Sequence, residues 1–347
     1  MLIREVPAMV TLRAVSAGSF GNSVKFAIRA DARAEYVMKA NLPRFLFVGT
    51  AKAGTTSVYR LLREHPDISV PVKETFYFMK ESLSNLSLPY PLQRDASDLI
   101  LEAEAYRKLY TNSPGKITGE IGTGYLYRHE ESIPLIADML GTDVRICIIL
   151  RNPANRCFSS YMHFRKDLFD SKDFQGALAA EPERIREGRD FMWHHRAVGL
   201  YADQVSAFRK VFPHTRVWFF EDFKQAPEKI LNEITAFIGA PPLSGIDLER
   251  GFNPSGEPKR AWLQKFITHE NPVKSALRPA FRVLFSKEKR EQIRKGAKAA
   301  NLKKGIGMDP EIRQALVDYY REDVERLGTM LGRDLENWLE HSGTVTV

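Results

Sequence analysis

The chain has 347 residues, of which 44% are hydrophobic and 27% charged, and 51 Lys and Arg against 43 Asp and Glu give a formal net charge of +8. That composition excludes a wholly disordered or collagen-like chain, and the length predicts about two domains or one large α/β domain with additions. No apolar run reaches the roughly 18 residues that cross a bilayer, so an integral membrane protein is not expected; the positive charge points to an anionic partner, whether nucleic acid, membrane surface, acidic polymer or charged small molecule.

Residues 1–42 read as an N-terminal extension, in which Val10–Val15 alternates like a strand. Arg13 interrupts its apolar stretch, so a secretory signal is not expected. Phe45-Leu46-Phe47-Val48, bounded by Pro43 and Gly49, reads as a buried strand. The loop Gly49-Thr-Ala-Lys-Ala-Gly-Thr-Thr-Ser57 follows, and Val58, Leu61 and Leu62 then recur at helical spacing up to His65-Pro66. A second strand–loop–helix unit starts at Val144–Leu150, a β-branched run of the kind found in central parallel strands. Arg151-Asn152-Pro153 ends it, and a helix runs through Cys157, Phe158 and Tyr161. A third unit joins Val217–Phe220 to a helix over Pro227–Phe237. Late in the chain, Leu316, Tyr320, Val324, Leu327 and Leu331 share a helical face. This alternation predicts an α/β fold with a central parallel sheet flanked by helices.

The first loop has the chemistry of a phosphate cradle. Backbone N–H groups at a helix start and the helix dipole attract anions, Lys52 adds a mobile charge, and Thr55 and Thr56 add hydroxyls. The triphosphate-binding pattern needs Lys directly after the second glycine, but Thr55 follows Gly54. The second strand ends in Arg151, where an ATP or GTP enzyme commonly carries a magnesium-binding Asp. Arginine suits a phosphate bidentately, and Ser159 lies two helical turns further on. Two phosphate sites without a magnesium carboxylate describe a nucleotide with phosphates at both ends. A P-loop kinase or NTPase lacks both of its markers here.

The segment GTAKAGTTSVYRLLREHPDI resembles the 5′-phosphosulfate loop of sulfotransferases that use 3′-phosphoadenosine 5′-phosphosulfate (PAPS), and RICIILRNPANRCFSSYMHF resembles their 3′-phosphate motif. The likeness is to bacterial sulfotransferases and to heparan sulfate N- and 3-O-sulfotransferase domains. HPDISVPVKETFYF, FFEDFKQAPEKILNEITAFIGAPP and the ending DVERLGTMLGRDLENW support it, so that the resemblance spans about residues 43–338. It implies the P-loop-like sulfotransferase fold over 43–340, with a tail at 341–347, and a PAPS-dependent enzyme that releases PAP and requires no metal.

Carried over, Lys52 corresponds to the lysine bridging the 5′-phosphate and the departing sulfuryl group. Ala53, Gly54, Thr55, Thr56 and Ser57 correspond to the cradle, and Arg151 and Ser159 to the 3′-phosphate pair. Glu74 aligns with the base of the heparan group, where partial burial before Phe76-Tyr77-Phe78 is expected to raise its pKa; the plainer reading is a surface carboxylate paired with Lys73. Glu120, in GEIGTGYLY, is a reserve base or an orienter of substrate. Lys259 and Arg260 resemble a late basic loop that closes on the 3′-phosphate. Three positions depart from the pattern: Phe76 replaces a His, Ile121 replaces a Lys, and Phe220 replaces the Tyr of cytosolic members, leaving adenine contact to ring packing. The acceptor therefore cannot be copied from the relatives. A glycan or lipid-linked glycan hydroxyl or amine is favoured, with a lipid or natural-product hydroxyl as the alternative, and an inactive module that docks an acidic glycan remains a rival.

The remaining features are weaker. His163 is read as packing, and His194 and His195 as surface or substrate-contact groups rather than metal ligands. Cys147 and Cys157 show no metal or disulfide spacing; they are expected in the sheet and on a helix of a cytoplasmic protein. Eleven basic and two acidic residues fall between Lys274 and Lys304, leaving the rest of the chain close to neutral. Leu277, Phe281, Leu284 and Phe285 share a helical face there, with Arg278 and Arg282 nearby. The segment reads as a solvated helix or as a docking face for an anionic acceptor or membrane, which would make the protein peripheral to the membrane; nucleic acid is not expected as a partner.

Overall fold

The computed structural model describes residues 42–84, 99–243, 257–259, 296, 300–303 and 307–340. The proposed N-terminal extension, Arg260, the tail 341–347 and nearly all of the basic segment 274–304 lie outside these residues.

Five strands form one parallel sheet: β1 (Phe45–Gly49), β2 (Ile68–Ser69), β3 (Ile117–Ile121), β4 (Arg145–Leu150) and β5 (Thr215–Phe219), in the order β2-β3-β1-β4-β5. The expected central parallel sheet with flanking helices is thus present. The central strand β1 is buried along its whole length, which is why its sequence is a continuous apolar run rather than an alternation. Phe45 and Phe47 point to one face, with Cys147 and Ile149 of β4, and pack beneath helices Thr55–Glu64 and Pro227–Ile238. Leu46 and Val48 point to the other, with Ile146, Ile148 and Leu150, toward helices Pro153–Lys166, Ala202–Val211 and Pro310–Leu331. Cys147 and Cys157 are both free and buried, in the sheet and on a helix as expected.

Helix Pro310–Leu331 shows how local chemistry sets the boundaries. Asp309 caps its start by accepting from the N–H groups of Glu311 (2.8 Å) and Ile312 (3.2 Å), Pro310 takes the first turn, where its missing N–H costs nothing, and Gly332 ends it in the left-handed region. Leu316, Tyr320, Val324 and Leu327 are buried as the spacing predicts, while Leu331 is half-buried.

Two expectations need correction. Phe220 does not finish the third strand, which stops at Phe219; it opens the helix Phe220–Gln225. Glu221 and Asp222 fall in that helix's first turn, where the dipole favours carboxylates. His194 and His195 are not surface groups. They are 2% and 0% exposed; the His194 ring meets the Tyr127 hydroxyl at 3.0 Å and the His195 ring meets the Ser160 hydroxyl at 3.1 Å. Burial pushes the His194 pKa down to about 4 and that of His195 well below the usual range, so both serve as neutral packing and hydrogen-bonding groups.

Candidate active site

The predicted site residues described by the structure gather chiefly at the carboxyl ends of the strands, the edge where open parallel sheets bind ligands. The loop after β1 carries Lys52, the loop after β4 carries Arg151, the turn after β3 carries Thr123, and β5 runs directly into Phe220.

Gly54 stands at the start of helix Thr55–Glu64 with φ +84°, and no side chain caps that helix. The N–H groups of Thr55 and Thr56 lie at the helix start, where no carbonyl of the helix is placed to accept them, while the Ser57 N–H donates to the Gly54 carbonyl at 2.9 Å. Gly54 cannot be replaced. A Cβ there would meet the Phe220 ring at 2.9 Å in a backbone conformation that side-chain-bearing residues avoid. The Phe220 ring also lies 4.9 Å from the Arg151 guanidinium, and Arg151 Nη1 donates to the Lys52 carbonyl at 3.0 Å. The two loops are therefore tied together before any ligand arrives. Thr55 and Ser57 are buried in the first turn, and Ser159 is buried on helix Pro153–Lys166.

Lys52 is half-buried and itself left-handed, with φ 74°. Burial is the chief cause that lowers its pKa to about 7, and the positive charges of Arg151, Lys166 and Lys73 lower it further, while Glu74 acts in the opposite sense. The site is therefore a gathering of cations. Lys166 had no particular standing in the sequence and Lys73 only as a partner for Glu74; the folded chain brings both within electrostatic reach of Lys52.

Glu74 is half-buried and ion-paired with Lys73. Its carboxylate also accepts from the Thr123 hydroxyl at 3.2 Å, and its N–H donates to the Ile121 carbonyl at 2.9 Å. Glu120 lies on β3 with no exposure at all. Thr75 (2.5 Å), Tyr106 (2.6 Å) and Tyr125 (2.6 Å) each donate a hydroxyl to its carboxylate. Burial raises its pKa, and those three hydroxyls oppose the rise. A Cβ on Gly122 would meet the Tyr125 ring at 2.2 Å, so this close approach requires glycine. Lys259 is exposed, its Nζ donating to the Ala300 carbonyl at 3.2 Å. It follows the short strand Glu257–Pro258, which pairs with Leu302–Lys303 and packs against helix Pro153–Lys166.

Residues 43–244, more than half of the chain, match the model of the sulfotransferase family. The chain belongs to the sulfotransferase family. Among solved structures, a sulfotransferase from Alicyclobacillus acidocaldarius aligns with a TM-score of 0.62 and 27% identity, over 86% of this chain and 99% of that one. Among curated relatives, the bifunctional heparan sulfate N-deacetylase/N-sulfotransferase of Drosophila melanogaster is 24% identical over 61% of this chain and 22% of its own length. The mouse heparan sulfate glucosamine 3-O-sulfotransferase 3A1 is 25% identical over 57% of this chain and 46% of its own length. This sulfotransferase thus spans less than half the length of those curated relatives. No helix among its described residues is long and apolar enough to cross a membrane.

Proposed function

We propose that this sulfotransferase moves a sulfuryl group from PAPS to a hydroxyl or amine of a glycan. The observation that carries the reading is the gathering of Arg151, Lys166 and Lys73 within electrostatic reach of Lys52, in the loop that leads into an uncapped helix start. Like charges gathered in a partly buried site repel one another, and an anion among them relieves that repulsion. The residues fit the donor. The N–H groups and hydroxyls of Thr55, Thr56 and Ser57, with Ala53 and Gly54, would hold the 5′-phosphosulfate; Arg151 and Ser159 would hold the 3′-phosphate, Phe220 would flank the adenine, and Lys259 and Arg260 would close over the nucleotide. When bound, PAPS supplies an electrophilic sulfur attached to a phosphate leaving group.

The chain's own residues then have definable tasks. The Lys52 ammonium balances the charge that grows on the bridging oxygen. Glu74 takes the acceptor proton at its carboxylate, oriented by the Thr123 hydroxyl. Lys73 holds that carboxylate in the resting site. The glycan acceptor is supported by the likeness to heparan sulfate sulfotransferases, and the departures at Phe76 and Ile121 mean that its contacts differ from theirs. The basic segment 274–304 is read as a docking face for an acidic acceptor or membrane of a cytoplasmic protein. Neutralising Lys287, Lys289, Arg290, Arg294 and Lys295 would raise the acceptor KM; an unchanged KM together with unchanged binding to anionic vesicles removes that role.

A ligand-stabilisation assay tests the donor. PAP should raise Tm without Mg²⁺ far more than ATP does. Stabilisation by Mg·ATP alone would overturn the reading. Transfer from PAPS across a panel of glycans, phenols and lipid alcohols, followed by mass detection, then identifies the acceptor; Lys52→Ala should abolish product with every member.

A further inference from the structure

Thr75 sits between two residues in unusual backbone conformations. Glu74 has φ 62° and Phe76 has φ 60°. Residues other than glycine adopt this region only where their surroundings impose it. Thr75, between them, is tied to one buried carboxylate. The Thr75 hydroxyl donates to Glu120 at 2.5 Å and accepts from the Tyr77 N–H at 3.2 Å. Tyr106 and Tyr125 complete the carboxylate's shell from other parts of the chain. The rings around it are packed tightly: Tyr77 stacks on Tyr106 at 4.4 Å, and Phe78 meets Tyr106 and Tyr125 edge-on at 5.2 and 5.6 Å. The backbone of Lys73 and Glu74 is fastened to the end of β3, through the Glu74 N–H and a parallel bridge between Lys73 and Ile121.

We propose that Glu120 is a positioning residue for Glu74, acting through the Thr75 hydroxyl rather than by taking a proton itself. The inference rests on the reading of Glu74 as the base. Glu120 is closed off from solvent, and three hydroxyls already occupy its oxygens, so it has no route to an acceptor proton. It fixes one of the two points that hold the Glu74 backbone left-handed; the β3 carbonyl of Ile121 fixes the other. Releasing Thr75 would let Glu74 relax toward ordinary backbone angles and carry its carboxylate away from Lys52. A displacement of about 1 Å at a reacting group can cost around a hundredfold in rate.

The test is a cycle on kcat, measured with whichever acceptor of the panel gives the highest turnover. Thr75→Val and Glu120→Gln should each lower kcat by about tenfold or more, with the PAPS KM and the PAP-induced rise in Tm unchanged. In a Glu74→Gln background the same substitutions should change the residual kcat by less than about twofold, because a group that acts through Glu74 has nothing left to position. Equal losses in both backgrounds overturn the positioning role while leaving Glu74 as the base. An unchanged kcat in Glu74→Gln alone overturns the base assignment itself. If Glu120→Gln fails to fold, Thr75→Val carries the test, since it exchanges the hydroxyl for a methyl of similar size and leaves Glu120 two of its donors; a Thr75→Val protein with full kcat overturns the proposal.

Discussion

Replacing Lys52 by Met should stabilise the donor-free protein while destroying its activity. The side chain keeps its length and loses the charge that Arg151, Lys166 and Lys73 oppose. A fall in pKa from 10.5 to about 7 sets a ceiling of about 5 kcal/mol on the cost of holding the ammonium in the fold. Lys52 is partly exposed, and solvent screening reduces that to about 2 kcal/mol. The sign follows from proton counts. Below pH 7 the lysine is charged in both folded and unfolded chains, so the full cost is present. Between pH 7 and 10.5 the unfolded chain binds more protons, so wild-type stability rises with pH. The Met variant lacks this rise. Its Tm should exceed that of the wild type by about 3 °C at pH 6, and the gap should narrow toward pH 10. PAP added at pH 6 should reverse the order, because only the wild type gains the contact between Lys52 and the 5′-phosphate. A Met variant less stable than the wild type at pH 6, or a gap independent of pH, would refute the electrostatic argument.

Binding of PAP should draw a proton onto Lys52 above pH 7, since a phosphate restores the basicity that its cationic neighbours remove; calorimetry at pH 8 in buffers of differing ionisation heat should show uptake approaching one proton, and none in Lys52→Met. Asp190, buried at the start of the turn Phe191–Trp193, has its pKa raised to about 7 chiefly by burial. Its folded form therefore keeps a proton that the unfolded chain loses above about 3.8, and stability falls as pH rises between those values. Asp190→Asn, which retains an acceptor for the Met192 N–H (2.9 Å in the wild type), should raise Tm at pH 8 and leave it unchanged at pH 3.5; equal effects at both would dismiss the linkage.

Much of the architecture was legible because central parallel strands advertise themselves. β1, β4 and most of β5 are apolar runs bounded by breakers, and the loop chemistry after β1 and β4 lies within a few residues of each strand. β3 gave no such signal. Its sequence, Ile-Thr-Gly-Glu-Ile, carries a glycine because the Phe45 ring fills the space a Cβ would take, 2.1 Å from its nearest atom. It carries a charged residue because hydroxyls 14 and 45 residues away, on Tyr106 and Thr75, reach back to Glu120. A buried carboxylate and an exposed one look alike until the partners are assembled. The same holds for Lys73 and Lys166, whose bearing on Lys52 exists only in three dimensions, and for His194 and His195, whose polarity suggested a surface that their packing against Tyr127, Phe164 and Tyr161 denies.

The strand order has an evolutionary corollary. β1 divides the sheet, with β4 and β5 on one side and β3 and β2 on the other. Arg151 and Phe220 come from the first side, Thr123, Glu120 and the tripeptide around Glu74 from the second, and Lys52 stands on the boundary. On the proposed reading, nucleotide recognition and acceptor chemistry would belong to different halves of one scaffold. On that reading, substitutions on the β3 side, where Phe76 and Ile121 stand, would alter acceptor choice without touching the Arg151 and Phe220 side of the sheet.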